Sequence, residues 1–189
     1  VHKEYQDEVA KIISIIRPVK YPERLRPLLN SISAARVGII EINVLDATLG
    51  ETLVAFASSS INLGIVVVNP PNGEWVDQDM AEKMFQQAGL TQWQFMGRDG
   101  VEIRNQLYKL MEQIEQELIQ SAASPLVVSI DQHFNVKGIG LVAIGYVQCG
   151  TVEVQYELHI LPSKGNGNTK SLQVMDDAVR IAQSGDRVG

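Results

Sequence analysis

The chain has 189 residues, 45% of them apolar, a single cysteine and a formal net charge of -6. That length and apolar content allow one large or two small domains with buried cores, while the acidity excludes a general electrostatic pull on nucleic acid, so any RNA contact has to be local. No run of eighteen apolar residues occurs, which excludes a membrane-spanning helix. The opening VHKEYQDEV lacks the apolar centre of a signal peptide, and Cys149 alone cannot form an internal disulfide, which suits a reducing cytoplasm.

Residues 10–16 form a short apolar run with strand character. The basic cluster Arg17, Lys20, Arg24 and Arg26 follows, and it reads either as a solvated helix entrance or as a phosphate-binding face. Leu25, Leu28, Leu29 and Ile32 share one side of a helix expected over residues 22–33. Residues 37–42 read as a buried-type strand, residues 51–61 as a helix after Gly50, and residues 64–68 as a second continuous apolar strand. A helix over residues 77–88 is stopped by Gly89, and residues 93–96 can form a short strand. Residues 101–120 make a long amphipathic helix with Ile103, Leu107, Leu110, Met111, Ile114 and Leu118 on its apolar face and Glu112, Glu115 and Glu117 on the wet one. Alternating strands and helices predict a mostly parallel sheet covered on both faces. Trp75, Trp93 and Tyr108 are expected in the core or in helix packing.

Ser121-Ala122-Ala123-Ser124-Pro125 ends the long helix and releases the chain, dividing it into an α/β domain of residues 1–122 and a second domain of residues 123–189. In residues 126–162 valines and isoleucines alternate with polar residues, while Gly138, Gly140, Gly145 and Gly150 interrupt at short intervals. A strand needs a period of two to fill one face, and glycine lets it bend or lets two backbones approach, so the pattern predicts a tightly curved antiparallel barrel. Lys164-Gly165-Asn166-Gly167-Asn168 reads as a hairpin tip, and Cys149 as a small buried filler. His133 falls in a polar turn facing solvent. His2, His133 and His159 lack a second metal ligand at helical or strand spacing, and no Gly-x-Ser-x-Gly elbow or base beside Cys149 is present.

The order Ile130, Asp131, Phe134, Val136, Gly138, Gly140, Val142, Gly145, Val147, Gly150, Val152, Val154, continued by residues 170–174 and 184–189, resembles the second domain of translational GTPases of the elongation factor Tu family, with the selenocysteine-specific and archaeal factors as the nearest type. The resemblance implies a GTPase-like α/β domain followed by an antiparallel β-barrel, here short of about two C-terminal strands. It also implies phosphate and guanine signatures, and these have drifted. No Gly-x-x-x-x-Gly-Lys-Ser/Thr loop occurs. The family's Asp-x-Pro-Gly-His falls on Arg17, Pro18, Val19, Lys20 and Tyr21, placing a cation where a magnesium-linked carboxylate belongs. Its Asn-Lys-x-Asp falls on Asn69, Pro70, Pro71 and Asn72, and an amide at Asn72 cannot accept both hydrogen bonds of guanine. Asn69 alone survives, and it also fits a strand-end turn. The last guanine loop falls near Phe95, Met96 and Gly97 without retained chemistry.

A truncated start would explain the missing phosphate loop but not Arg17 or Pro70, so degeneracy is the better single account. The resemblance then implies a translation-associated protein without GTP hydrolysis and without a cofactor, GTP and Mg²⁺ entering only if the family activity is retained. Its partners would be aminoacyl-tRNA or the ribosome, held through the barrel, with Asp131, His133, Lys137 and Arg187 as exposed polar groups on matched turns for RNA. The alternatives are a scaffold or regulator binding another protein, and an active GTP-binding factor whose missing segments supply the phosphate loop.

Overall fold

The structure, a computed structural model, describes residues 2–6 and 9–189. The chain divides into two compact units, Val1–Gln113 and Ile114–Gly189. In the first, β1 (His2–Gln6) and β2 (Val9–Ile13) form an antiparallel pair of their own, and the elements α1 (Leu25–Ala34), β3 (Gly38–Ile42), α2 (Ala47–Ala57), β4 (Gly64–Val68), α3 (Gln78–Gln87), β5 (Trp93–Met96) and α4 (Gly100–Ser121) follow. Strands β3, β4 and β5 make a parallel sheet in that order, Gly38 aligned with Gly64 and Gly64 with Trp93.

The period of two on β4 sorts its residues between two cores. Val66 joins Leu28 and Ile32 of α1, Leu53 and Phe56 of α2 and Phe85 of α3 on one face. Ile65 and Val67 meet Leu107 and Leu110 of α4 on the other. The expected cover on both faces holds for β4 but not for the edge strand β3, whose Ile39 and Glu41 are exposed. Trp93 anchors the first core with its ring edge-on to Phe56 at 4.8 Å. It lies over Gly38 and Gly64, where any Cβ would collide with the indole.

Several boundaries differ from the sequence reading for local reasons. Helix α2 starts at Ala47, before Gly50, because Asp46 caps it: the Asp46 carboxylate accepts from the Leu49 N–H at 2.8 Å. Helix α3 ends as expected, with Gly89 at φ +81° and the Leu90 N–H donating to the Phe85 carbonyl at 2.9 Å. Trp75, expected in the core, is exposed, because the proline-stiffened segment after β4 carries it away from the sheet, whereas Trp93 and Tyr108 are buried.

The second unit comprises the last turns of α4 and the strands β6 (Val127–Val136), β7 (Gly140–Cys149), β8 (Thr151–Glu153), β9 (Glu157–Ile160), β10 (Gly165–Asn168), β11 (Leu172–Val174), β12 (Asp177–Val179), β13 (Ile181–Gln183) and β14 (Arg187–Val188). They pair as a five-stranded antiparallel sheet, β12-β11-β14-β7-β6, and the ribbons β8-β13 and β9-β10. Val147, Val152, Leu172, Ala182 and Val188 from these sheets share one core. Among the described residues the sheets do not hydrogen-bond into a closed barrel.

Gly145 lies where β7 crosses Ser129 and Ile130 so closely that a side chain would strike their backbone. Gly150 turns the corner into β8 at φ +79°, its N–H donating to the Ser121 carbonyl at 2.9 Å. Residues 165–168, read as a hairpin tip, are strand β10, and the turn is residues 161–164. Cys149 is half-buried, its sulfur donating to the Pro125 carbonyl at 3.1 Å. Among the described residues no helix is long and apolar enough to cross a membrane.

Candidate functional site

In open parallel sheets, ligands bind beyond the carboxyl ends of the strands, where helix N-termini offer free N–H groups. Here that edge is made by residues 43–46 after β3, residues 69–77 after β4 and residues 97–99 after β5. Each of the three segments ends in an aspartate that consumes the donors of its own helix. Asp46 accepts from Leu49 N–H at 2.8 Å, Asp77 from Met80 N–H at 3.0 Å, and Asp99 from the N–H groups of Val101 and Glu102 at 2.7 and 3.2 Å. A carboxylate at this position complements the helix dipole but leaves negative charge where a phosphate would sit.

The Asn69 backbone N–H donates to the Ile42 carbonyl at 2.8 Å, and its side-chain amide donates to the carboxylate of Glu41. Asn69 is thereby tied down across β3 and β4, as a strand-end residue is. Asn72 lies exposed between Pro71 and Gly73, in a turn closed by Glu74 N–H donating to the Pro71 carbonyl at 3.0 Å. The loop does not bring the two asparagines into a shared hydrogen-bonding pair.

Residues 17–21 lead into α1. Arg17 and Lys20 are exposed, and Lys20 adopts φ +67°, the left-handed conformation in which glycine is cheapest. Tyr21 fastens this loop to α2. Its hydroxyl lies 2.8 Å from Thr52 Oγ1, 3.1 Å from the Thr48 carbonyl and 3.3 Å from Glu51 Oε2. Burial pushes the Tyr21 hydroxyl above its ordinary pKa; the Thr52 hydrogen bond opposes this and the Glu51 charge adds to it. Sequence reasoning missed the anchoring role of Tyr21 and the caps Asp46 and Asp99. The last two carried a readable signal, an aspartate immediately before a helical pattern, whereas Tyr21 had none, since its partners lie in another helix.

The residues expected on the second domain are all exposed, but they are spread out. Asp131 and His133 lie within β6 rather than in a turn, Lys137 is in the β6–β7 turn, and Arg187 is on β14. Arg187 pairs with Tyr146, which in turn faces Ser129, so it sits on the order of 25 Å along the ribbon from Lys137. Asp131 falls at a register shift between Ile130 and Gln132, and the two cations lie at opposite ends of the ribbon. Residues 123–189 hold five lysines and arginines against six carboxylates, so no strong basic face forms.

No protein-family model matches the chain. It is 32% identical over 179 residues to the uncharacterized protein MJ0325 of Methanocaldococcus jannaschii, covering 95% of this chain and 55% of that protein. It is 36% identical over 88 residues to the selenocysteine-specific elongation factor of the same organism, covering 47% of this chain and 18% of the factor. Its fold is similar to that of a bacterial selenocysteine-specific elongation factor, with a TM-score of 0.65 at 20% identity over 89% of this chain and 31% of the other. It is also similar to the apo form of elongation factor SelB from Methanococcus maripaludis, with a TM-score of 0.60 at 20% identity over 84% and 37% of the two chains. The chain thus spans about half the length of MJ0325 and less of the elongation factors. The sequence similarity over 88 residues and the shared fold relate this chain to the archaeal SelB-type elongation factors of the translational GTPase superfamily.

Proposed function

We propose that this is an elongation factor-related protein that acts by binding, without hydrolysing GTP, and that residues 123–189, the counterpart of the family's second domain, engage tRNA or a ribosome-associated partner. The observation that carries the reading is the carboxylate-lined edge of the parallel sheet. Asp46, Asp77 and Asp99 occupy the helix N-termini, and Glu41 holds the Asn69 amide. These residues do not fit a magnesium-bound guanine nucleotide. A triphosphate needs unspent N–H donors and cations, and three carboxylates at those donors repel it. The sequence supports the same reading, with Arg17 in the place of a magnesium-linked carboxylate and Asn72 in the place of the guanine-binding one.

Calorimetric titration with GTP and Mg²⁺ is expected to give no binding heat; micromolar binding would overturn the nucleotide part of the proposal. Filter binding of aminoacylated tRNA across a salt series tests the other part. An RNA-binding role gives affinity that falls linearly on a logarithmic salt axis, and charge reversal at Lys137 or Arg187 lowers the slope by about one contact each. Absence of retention at low salt would leave the protein-binding scaffold as the better account, a reading favoured by the shortage of cations in residues 123–189.

A further inference from the structure

The carboxyl edge of the parallel sheet carries two neighbouring surfaces of opposite charge, and each holds exposed apolar residues. On the flank of α2, the loop fastened by Tyr21 presents the exposed cations Arg17, Lys20, Arg24 and Arg26, with Glu23 as the single acid among them. Interleaved with these are Ile15 and Val19, 65% and 71% exposed, and Leu25 at the start of α1. On the β4 and β5 side, the loops and helix starts present Glu74, Asp79, Asp99 and Glu102, with Lys83 and Arg98 as the cations between Trp75 and Glu102. Interleaved with these are Trp75, 80% exposed, and Val101, 56% exposed. Among the described residues none of these charged groups makes a salt bridge, the one such bridge being Lys11 with Glu112.

Solitary exposed apolar residues need no explanation, but two apolar runs, each threaded mainly with charge of one sign, do. We propose that this edge is a docking surface for a second copy of the chain. Two unlike patches side by side on one face are what a twofold contact requires, because rotation sets each patch against the other patch of its partner. The basic run of one copy then meets the acidic run of the other, twice over, and the exposed Trp75 and Val19 become the buried centre that hot spots occupy. The same surface has no match for RNA, since its acidic half repels phosphate, and a purely basic or purely acidic partner would leave one half unpaired. The rigidity of the edge favours docking, since Tyr21 holds the basic loop to α2 and the caps Asp77 and Asp99 hold the acidic one, so little order has to be gained on association.

The test is sedimentation equilibrium of the full-length protein across the micromolar range, without nucleotide, so that its outcome is independent of the GTP titration. The wild-type chain is expected to dimerise in a concentration-dependent way that weakens with salt. The variants Arg24→Glu/Arg26→Glu and Glu74→Lys/Glu102→Lys should each raise the dissociation constant at least tenfold, about the cost of setting like charges face to face. Mixed in equal amounts, the two variants should form a heterodimer, because both contacts then pair opposite charges. Trp75→Ala should weaken the dimer by about tenfold with unchanged far-ultraviolet dichroism. A wild-type chain that stays monomeric at every concentration overturns the proposal. So does a dimer that neither charge reversal disturbs, or a mixture of the two variants that remains monomeric.

Discussion

The two units use glycine for opposite purposes. In the α/β unit, Gly38 and Gly64 clear room for a side chain, the indole of Trp93, which lies across two adjacent strands and is packed by Phe56 and Phe85. In the second unit, Gly145 and Gly150 clear room for backbone, that of Ser129 and Ile130 in one case and of Ser124 and Leu126 in the other. A side chain can be exchanged together with its glycine; a backbone crossing cannot. The first arrangement is therefore one solution to filling a core, while the second is a condition of the fold, and a motif built on the second is the more recognisable.

The sharpest way to break this comparison is by substituting both kinds. Gly150→Ala should cause the largest loss, since it adds backbone overlap, about 1–3 kcal/mol for overpacking, to about 1–2 kcal/mol for a side chain at φ +79°. Gly145→Ala should follow, and no side-chain replacement should rescue either one in urea titrations. Gly64→Ala should cost a similar 1–3 kcal/mol alone. Combined with Trp93→Leu it should cost far less than the sum of the two, a coupling of about 1 kcal/mol or more in a double-mutant cycle. Additivity at Gly64 and Trp93 would refute the distinction.

Smaller effects sharpen the contrast at the sheet edge. Asp46→Ala and Asp77→Ala should each lower stability by about 1 kcal/mol through loss of a helix cap, read from thermal melts. Neither should create affinity for GTP if the nucleotide site is lost at several positions at once. Tyr21→Phe should cost about 1 kcal/mol from its hydrogen bonds to α2. Because burial raises the Tyr21 pKa in the folded chain, the hydroxyl's contribution is whole below the ordinary tyrosine value. It is lost as pH climbs through the raised one, so melts of Tyr21→Phe should lack that alkaline decline.

Smallest of all, Glu112 is held below the usual carboxylate range by its hydrogen bond from Lys11 and then by the Lys11 charge. Its contribution is present above the ordinary carboxylate pKa and fades as pH falls through the depressed one. Glu112→Gln should leave the melting temperature at neutral pH nearly unchanged, because the Glu112 carboxylate is exposed to solvent.

Much of the fold was legible from local chemistry. Strands β4 and β5, the helix ending at Gly89 and the apolar face of α4 follow from periodicity and a stop signal, which act over a few residues. The sequence reading failed where a capping side chain outweighed a glycine, as at Asp46. It failed again where a proline-rich segment carried Trp75 outward, and where residues 165–168 paired with β9 instead of turning. At the candidate site, the drift of residues 17–21 and 69–72 could be read directly, but the anchoring of Tyr21 and the capture of Asn69 by Glu41 could not. Both depend on partners brought near by the sheet, tens of residues away in the chain.

What the sequence determined by itself was the alternation of strands and helices from α1 to α4, the family resemblance through spaced glycines and valines, and the drift of residues 17–21 and 69–72, because each rests on residue identity and short-range periodicity. What only the tertiary structure decided was which strands share a sheet and that the antiparallel strands stay in separate sheets. It also decided that carboxylates close the helix ends along one edge and that apolar residues of opposite charge context stand beside each other there. Those properties are distances between segments remote in sequence, and they are set by packing around shared cores, which no local pattern encodes.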